Sequence, residues 1–150
     1  MKAVLQRVES ASVEVDGKTV SSINRGYVVL LGIGSGDTKE QTDKMVDKIR
    51  RLRIFADENG KINLSIEDIN GEILVVSQFT LYADCKKGNR PSFTDAGSPA
   101  LAEELYNYFI EICRGDSRGR PFKKVGQGVF GAHMRVSLVN DGPFTVILES

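Results

Sequence analysis

The segment Tyr27 to Ile33, Tyr-Val-Val-Leu-Leu-Gly-Ile, is a nearly continuous apolar run, the pattern of a strand buried on both faces. Around it the periodicity is mostly two. Ala3 and Leu5 alternate with Val4 and Gln6, so residues 2 to 8 read as a strand. Ser12 to Val15 and Lys18 to Ile23 flank Asp16-Gly17, a pair that accepts positive φ cheaply, which predicts a β-hairpin with a type I′ turn. Ile62, Leu64 and Ile66 alternate along another strand, and after the Asn70-Gly71 turn signal Glu72 to Tyr82 reads as one long strand. Gly131 to Val139 and Phe144 to Leu148 complete the set as two last strands around Asn140-Asp141-Gly142-Pro143.

Only two segments switch to helical spacing. Thr38-Lys39-Glu40-Gln41 has the form of a capping box, followed by Met45, Val46, Ile49 and Leu52, with Lys44, Lys48, Arg50 and Arg51 on the remaining surface. Ser98-Pro99 supplies an N-cap and a first-turn proline for a second helix, whose core face is Leu101, Leu105, Tyr108, Phe109 and Ile112 and whose end suits Gly115. About seven strands and two main helices predict an α+β domain with mixed or antiparallel sheets. At 150 residues, without repeats, low-complexity tracts or a linker, residues 1–150 form a single domain. A chain of this size buries roughly 70% of the surface it exposes when unfolded, and needs no metal or disulfide staple.

Composition removes whole classes of chemistry. The 20 Lys and Arg balance 20 Asp and Glu, which argues against a polyelectrolyte but leaves room for a local basic patch. With one histidine, His133, and two cysteines, Cys85 and Cys113, a His-rich metal centre or a Cys-pair zinc site cannot be assembled within one chain, and no cofactor is expected. The cysteines lack a CxxC spacing and read as two reduced thiols. The N-terminal residues lack the apolar core of a signal peptide and no run of about 18 apolar residues exists, so a cytoplasmic protein without membrane contact is expected.

Few stretches remain to carry chemistry. Gly32-Ile33-Gly34-Ser35-Gly36 lies between a strand and a helix, yet Asp37 stands where a dinucleotide fingerprint needs glycine and no Gly-Lys-Ser/Thr follows; it reads as a strand-to-helix turn. His133, in a predicted strand between Ala132 and Met134, has no acidic residue close by and reads as structural or binding. Spacing alone leaves open a Cys85 nucleophile meeting His133 in space. Arg114-Gly115-Asp116 at a helix end is a coincidence of sequence.

Ser77-Gln78-Phe79-Thr80-Leu81-Tyr82 is more informative. Strand alternation puts Gln78 and Thr80 on one face, about 7 Å apart, and Ser77 and Phe79 on the other. An amide and a hydroxyl so placed can bind an ester or carbonyl; equally, a strand emerging into water carries such residues merely solvated. In Asn140-Asp141-Gly142-Pro143-Phe144-Thr145 a rigid Gly-Pro turn would fix its carbonyl oxygens in direction, which suits recognition of an amino group; the plain alternative is a connecting loop. Two basic stretches, Arg114, Arg118, Arg120, Lys123 and Lys124, and Lys86, Lys87 and Arg90, read either as phosphate contacts or as solvated surface.

Taken together, Ser77 to Tyr82 and Asn140 to Thr145 resemble the two signature motifs of the D-aminoacyl-tRNA deacylases. The likeness extends through Met1-Lys2-Ala3-Val4-Leu5-Gln6-Arg7-Val8, Lys87-Gly88-Asn89-Arg90-Pro91-Ser92-Phe93 and Gly128-Val129-Phe130-Gly131-Ala132-His133-Met134. One departure is Phe144, where the family often has valine; the Gly-Pro pair and Thr145 are intact. The resemblance implies hydrolysis of the ester linking a D-amino acid, or glycine, to the terminal ribose of tRNA, with rejection of L-aminoacyl-tRNA. It further implies a homodimer with active sites at the interface, where a cis Gly142-Pro143 reaches into the partner's pocket, recognises the amino group through two carbonyls and leaves no space for an L side chain. Ser77, Gln78, Phe79 and Thr80 would line the scissile ester, with Gln78 and nearby backbone N–H groups polarising its carbonyl. Phe130 and Met134 would pack around the terminal adenosine. Thr80 has two roles open to it, as an acyl-forming nucleophile or as the group that positions an attacking water helped by the substrate's 2′-OH. No base for the first role is evident in the motif. Against this enzyme stands a non-catalytic nucleic-acid-binding module working through the basic loops.

Overall fold

The computed structural model describes residues 1–115 and 121–150. Eight strands run in the order β1 (Lys2–Val15), β2 (Lys18–Ile23), β3 (Gly26–Gly32), β4 (Phe55–Ala56), β5 (Ile62–Leu64), β6 (Glu72–Ser77), β7 (Val125–Gln127) and β8 (Arg135–Glu149). Helix α1 (Lys39–Arg51) follows β3, and α2 (Pro99–Arg114) precedes β7. The main sheet is mixed: β1 pairs antiparallel with β2, β3 and β8, whereas β3–β6 and β6–β7 are parallel. Lys2 to Gln6 pair with both β3 and β8, which therefore lie on opposite edges of β1. The two-stranded β4–β5 sheet stands apart.

Strand β3 is buried on both faces, as its apolar run requires. Tyr27, Val29 and Leu31 join Ile73 and Val75 of β6 in a core with Met45, Val46 and Ile49 of α1 and Leu105, Tyr106 and Phe109 of α2. Val28, Leu74 and Val76, on the opposite pleat, form a second core with Val8, Val13 and Ile23 against Val136 and Leu138 of β8. Both predicted helix starts hold. Thr38 accepts from the Gln41 N–H while the Gln41 side chain takes the Thr38 N–H, and the Ser98 side chain accepts from the Leu101 N–H. Asp16 and Gly17 both have positive φ, as a type I′ turn demands.

Several boundaries differ from the sequence expectation. Residues 2 to 15 form one strand, because β8 pairs along nearly its whole length and carries it past the register shifts at residues 6 to 10. The two expected last strands are likewise one, Arg135–Glu149, with the Gly142–Pro143 peptide bond cis within it. His133 is not in a strand but exposed in the loop before β8. The expected strand over 72–82 stops at Ser77 and turns into a 3-10 helix, Phe79–Tyr82. The β3–β6 ladder ends with the Leu31–Ser77 pair and a last bond from the Gln78 N–H to the Leu31 carbonyl, after which the Leu81 and Ala83 N–H groups bond within a local turn. Arg118 and Arg120 of the basic segment, and Asp116, lie outside the described residues.

Candidate functional site

Four of the expected site residues meet at the C-terminal end of β6. Ser77 still pairs with Leu31, and the Gln78 N–H donates to the Leu31 carbonyl at 2.8 Å, after which the chain coils into the 3-10 turn. That turn puts Gln78 and Thr80 in contact: the Gln78 Nε2 donates to the Thr80 Oγ1, where extended geometry would have held them a full pleat apart. Leu81 N–H closes the turn on the Gln78 carbonyl at 3.3 Å. The N–H groups of Phe79 and Thr80 open it, where a 3-10 helix leaves its first donors without an acceptor of its own. Ser77 and Gln78 are half-buried, and Phe79 and Thr80 are exposed. An amide and a hydroxyl thus meet at one sheet end, on the turn that begins with the Phe79 and Thr80 N–H groups.

The segment after β7 is laid beside this turn by main-chain bonds. Gly128 N–H donates to the Val75 carbonyl at 2.9 Å. Buried Tyr106 donates its hydroxyl to the same carbonyl at 2.9 Å, with Gly128 O at 3.4 Å, and burial pushes its pKa up to about 12. The Phe130 ring rests on Tyr106 with centroids 5.9 Å apart, and Met134 packs against the second core. A Cβ on Gly128 would come within 2.5 Å of the Met134 Sδ, so glycine there lets Met134 close over the strand end. Phe130, against the first core, and Met134, against the second, thus lie near the Val75 end of β6, on opposite faces of it.

Gly142 and Pro143 lie farther off. They are exposed, in the stretch of β8 between the Asn140–Val8 and Thr145–Gln6 pairs. From there to Ser77 the sheet crosses β1 and β3, three strand spacings or roughly 14 Å. Their turn is clamped from below by a residue that sequence reasoning did not single out, Arg7. Its Nε donates to the Asp141 carbonyl at 2.9 Å, its Nη1 to the Ile54 carbonyl at 2.6 Å, and it lies 4.6 Å from the Phe144 ring centroid. Asn140 Nδ2 completes the brace by donating to Arg7 O at 2.8 Å and Phe144 O at 3.2 Å. The only sequence signal was a guanidinium in an otherwise core-forming strand; its partners lie more than 40 residues away.

Of the remaining candidates, the Gly32–Gly36 loop lies against the turn, where a Cβ on Gly32 would come within 3.0 Å of the Gln78 carbonyl oxygen. The Gly32–Gly36 loop is a structural turn: Gly34 N–H donates to Asp37 Oδ2 at 2.7 Å, and Asp37 pairs through Oδ1 with the Met1 α-ammonium at 2.5 Å. Both cysteines are free, Cys85 exposed and Cys113 buried. Among the described residues no cluster of three or more His, Cys, Asp or Glu stands ready to hold a metal, and no helix is long and apolar enough to cross a membrane.

Residues 4–149 match the family model described as D-Tyr-tRNA(Tyr) deacylase. A "D-aminoacyl-tRNA deacylase" of Thermosipho africanus is 55% identical over 150 residues, covering 100% of this chain and 97% of the relative. A protein of the same name from Clostridium acetobutylicum is 50% identical with the same coverage. Among solved structures, "c-Myc DNA Unwinding Element Binding Protein" superposes with a TM-score of 0.92 at 49% identity, covering 100% of this chain and 99% of the other. A "probable eukaryotic D-amino acid tRNA deacylase" does so at 0.82 and 21% identity, covering 98% and 97%, a likeness of fold. The chain is accordingly that of an ester hydrolase. The chain belongs to the D-Tyr-tRNA(Tyr) deacylase family and removes D-amino acids from tRNA by hydrolysis.

Proposed function

We propose that catalysis takes place on the 77–80 turn, covered by Gly142-Pro143 of a second copy of the chain, in the cytoplasm. The observation that carries this reading is the contact between Gln78 Nε2 and Thr80 Oγ1 on the turn that the Phe79 and Thr80 N–H groups open, with the Gly-Pro pair of the same chain standing strands away. An aminoacyl ester is already activated, so orientation and stabilisation of the developing oxyanion suffice. Gln78 and the Phe79 and Thr80 N–H groups hold the carbonyl oxygen; water attacks, assisted by the terminal 2′-OH, while Thr80 positions it. Phe130 and Met134 enclose the terminal adenosine. Two main-chain carbonyls around Gly142-Pro143 take the substrate's amino group and leave no room for an L side chain, so selection works by steric rejection and glycine enters too. The exposed apolar side chains Val139 and Ile147 on β8 support a homodimer built on this face.

Incubation of the protein at substoichiometric amounts with D-Tyr-tRNA and L-Tyr-tRNA tests the reading: the D ester is lost with turnover and the L ester persists. Turnover of neither sinks the catalytic site, and equal turnover of both sinks the chiral pocket. The name of the 49%-identical structure favours one rival, nucleic-acid binding without chemistry. That rival predicts binding with no ester loss.

A further inference from the structure

We propose that the loop 84–93 is a phosphate-binding grip for the single-stranded acceptor end of tRNA, set beside the reacting turn. The inference deepens the reading above and rests on the 77–80 turn being the ester site. The ester of an aminoacyl-tRNA sits one nucleotide from the nearest phosphodiester, so cations that hold those phosphates must flank the reacting turn.

This loop meets that condition through both of its ends. One end continues directly from the 3-10 turn, whose last N–H contact is Ala83 to the Thr80 carbonyl at 3.0 Å. The other end, Phe93, stacks edge-on against Phe79 of the turn itself, with centroids 5.1 Å apart. Asp84 and Ser92 close the base with reciprocal main-chain bonds of 2.8 and 3.0 Å, and Gly97 N–H ties the return to Ile33 at the end of β3 at 2.8 Å. What projects between them is Cys85-Lys86-Lys87-Gly88-Asn89-Arg90-Pro91, wholly exposed, with three cations and no acid. Asp84, at the base of the loop, accepts the Lys86 main-chain N–H at 2.9 Å.

Several cations of the other basic surfaces are paired with carboxylates. On α1, Lys44 pairs with Glu40 at 2.7 Å and Arg51 with Asp47 at 2.9 Å. In the other basic stretch Lys123 lies 3.7 Å from Glu72, while Arg114 donates to the neutral amide oxygen Gln127 Oε1 at 2.7 Å. Lys86, Lys87 and Arg90 have no ion-pair partner among the described residues. Three unneutralised cations on a short loop fixed to the catalytic turn make a pre-ordered site for a polyanionic strand.

The experiment uses the full chain with all three residues changed together, Lys86→Ala, Lys87→Ala and Arg90→Ala, against a charge-conserving control, Lys86→Arg, Lys87→Arg and Arg90→Lys. Two substrates are compared, D-Tyr-tRNA and D-tyrosyl-adenosine, which lacks phosphodiesters, together with binding of uncharged tRNA across a salt series. On D-Tyr-tRNA the neutralised variant raises KM roughly tenfold or more at unchanged kcat, and the slope of log affinity against log salt becomes shallower by about 0.7 for each phosphate that the loop no longer neutralises. Its rate on D-tyrosyl-adenosine is unchanged, and the control keeps the wild-type salt slope. An unchanged KM and salt slope overturn the proposal, as does an equal loss on both substrates, which would make the loop a support of the turn. A wild-type protein that binds tRNA with a salt slope the variant loses, but cleaves no ester, leaves the grip standing and removes the catalytic reading.

Discussion

Arg7 holds Asp141 twice: its Nε donates to the main-chain carbonyl at 2.9 Å and lies 3.1 Å from the carboxylate Oδ2. One side chain of β1 thereby fixes the backbone just before Gly142-Pro143, and the third arm of the guanidinium reaches Ile54. Lysine has the charge but not the fork. Arg7→Lys is expected to lower kcat/KM for D-Tyr-tRNA about tenfold, in line with the loss of one or more charge-assisted bonds worth roughly 1.5–3 kcal/mol each, and to narrow the D-over-L preference. Steady-state kinetics with both enantiomers measure it; an unaltered preference would show that the clamp does not set the pocket.

Gln78 and Thr80 touch, yet their substitutions should differ. In the proposed mechanism Gln78→Ala removes a donor to the oxyanion and is expected to cost about 10²–10³ in kcat. Thr80→Ala should cost less than about tenfold, because a water can take the place of its hydroxyl. Single-turnover rates decide between roles: a dead Thr80→Ala, with an acyl-enzyme trapped in the wild type, would make Thr80 the nucleophile.

The thiols report on the same question. Burial pushes the Cys113 pKa up to about 12, whereas Cys85 stands in the exposed loop. Alkylation at pH 8 followed by mass spectrometry should label Cys85 alone in the native protein and both residues in urea. Cys85→Ala should retain full deacylation, and loss of activity in that variant would return a cysteine nucleophile to consideration.

Asp37 is buried with the α-ammonium of Met1 and also takes the Gly34 N–H. Asp37→Asn leaves a buried cation without its counter-charge, and breaking such a pair costs about 3–5 kcal/mol. Urea unfolding at neutral pH measures the loss. A change under about 1 kcal/mol would mean that water reaches the ammonium group.

Glu72 predicts a pH dependence. Burial alone would raise its pKa, but the Asn24 N–H at 2.8 Å, the Asn24 side chain and the Lys124 and Lys123 charges hold it below the ordinary carboxylate value. A lowered folded pKa gives stability that is complete above the unfolded value of about 4.3 and is lost as pH falls through the folded value. Glu72→Gln should therefore flatten the acid limb of the urea midpoint plotted against pH; an acid limb that keeps its wild-type steepness would assign it to other carboxylates.

What the sequence determined by itself was local or periodic. The capping residues Thr38 and Ser98, the Asp16-Gly17 turn and the two-faced burial of Tyr27 to Leu31 depend on groups within a few positions of one another, and each is present as read. The two motifs were legible as a family resemblance. Tertiary structure alone decided the rest. Whether residues 78 to 82 continue as a strand depends on how far the β3 ladder runs; pairing ends at Ser77, and the chain coils and brings Gln78 onto Thr80. Arg7 finds its partners 47 and 134 residues away, and Phe93 reaches Phe79 only because the intervening loop is closed at Asp84 and Ser92. Contacts of that sequence separation leave no periodic trace; they exist once the sheet has placed β8 beside β1 and the end of β3 beside the turn.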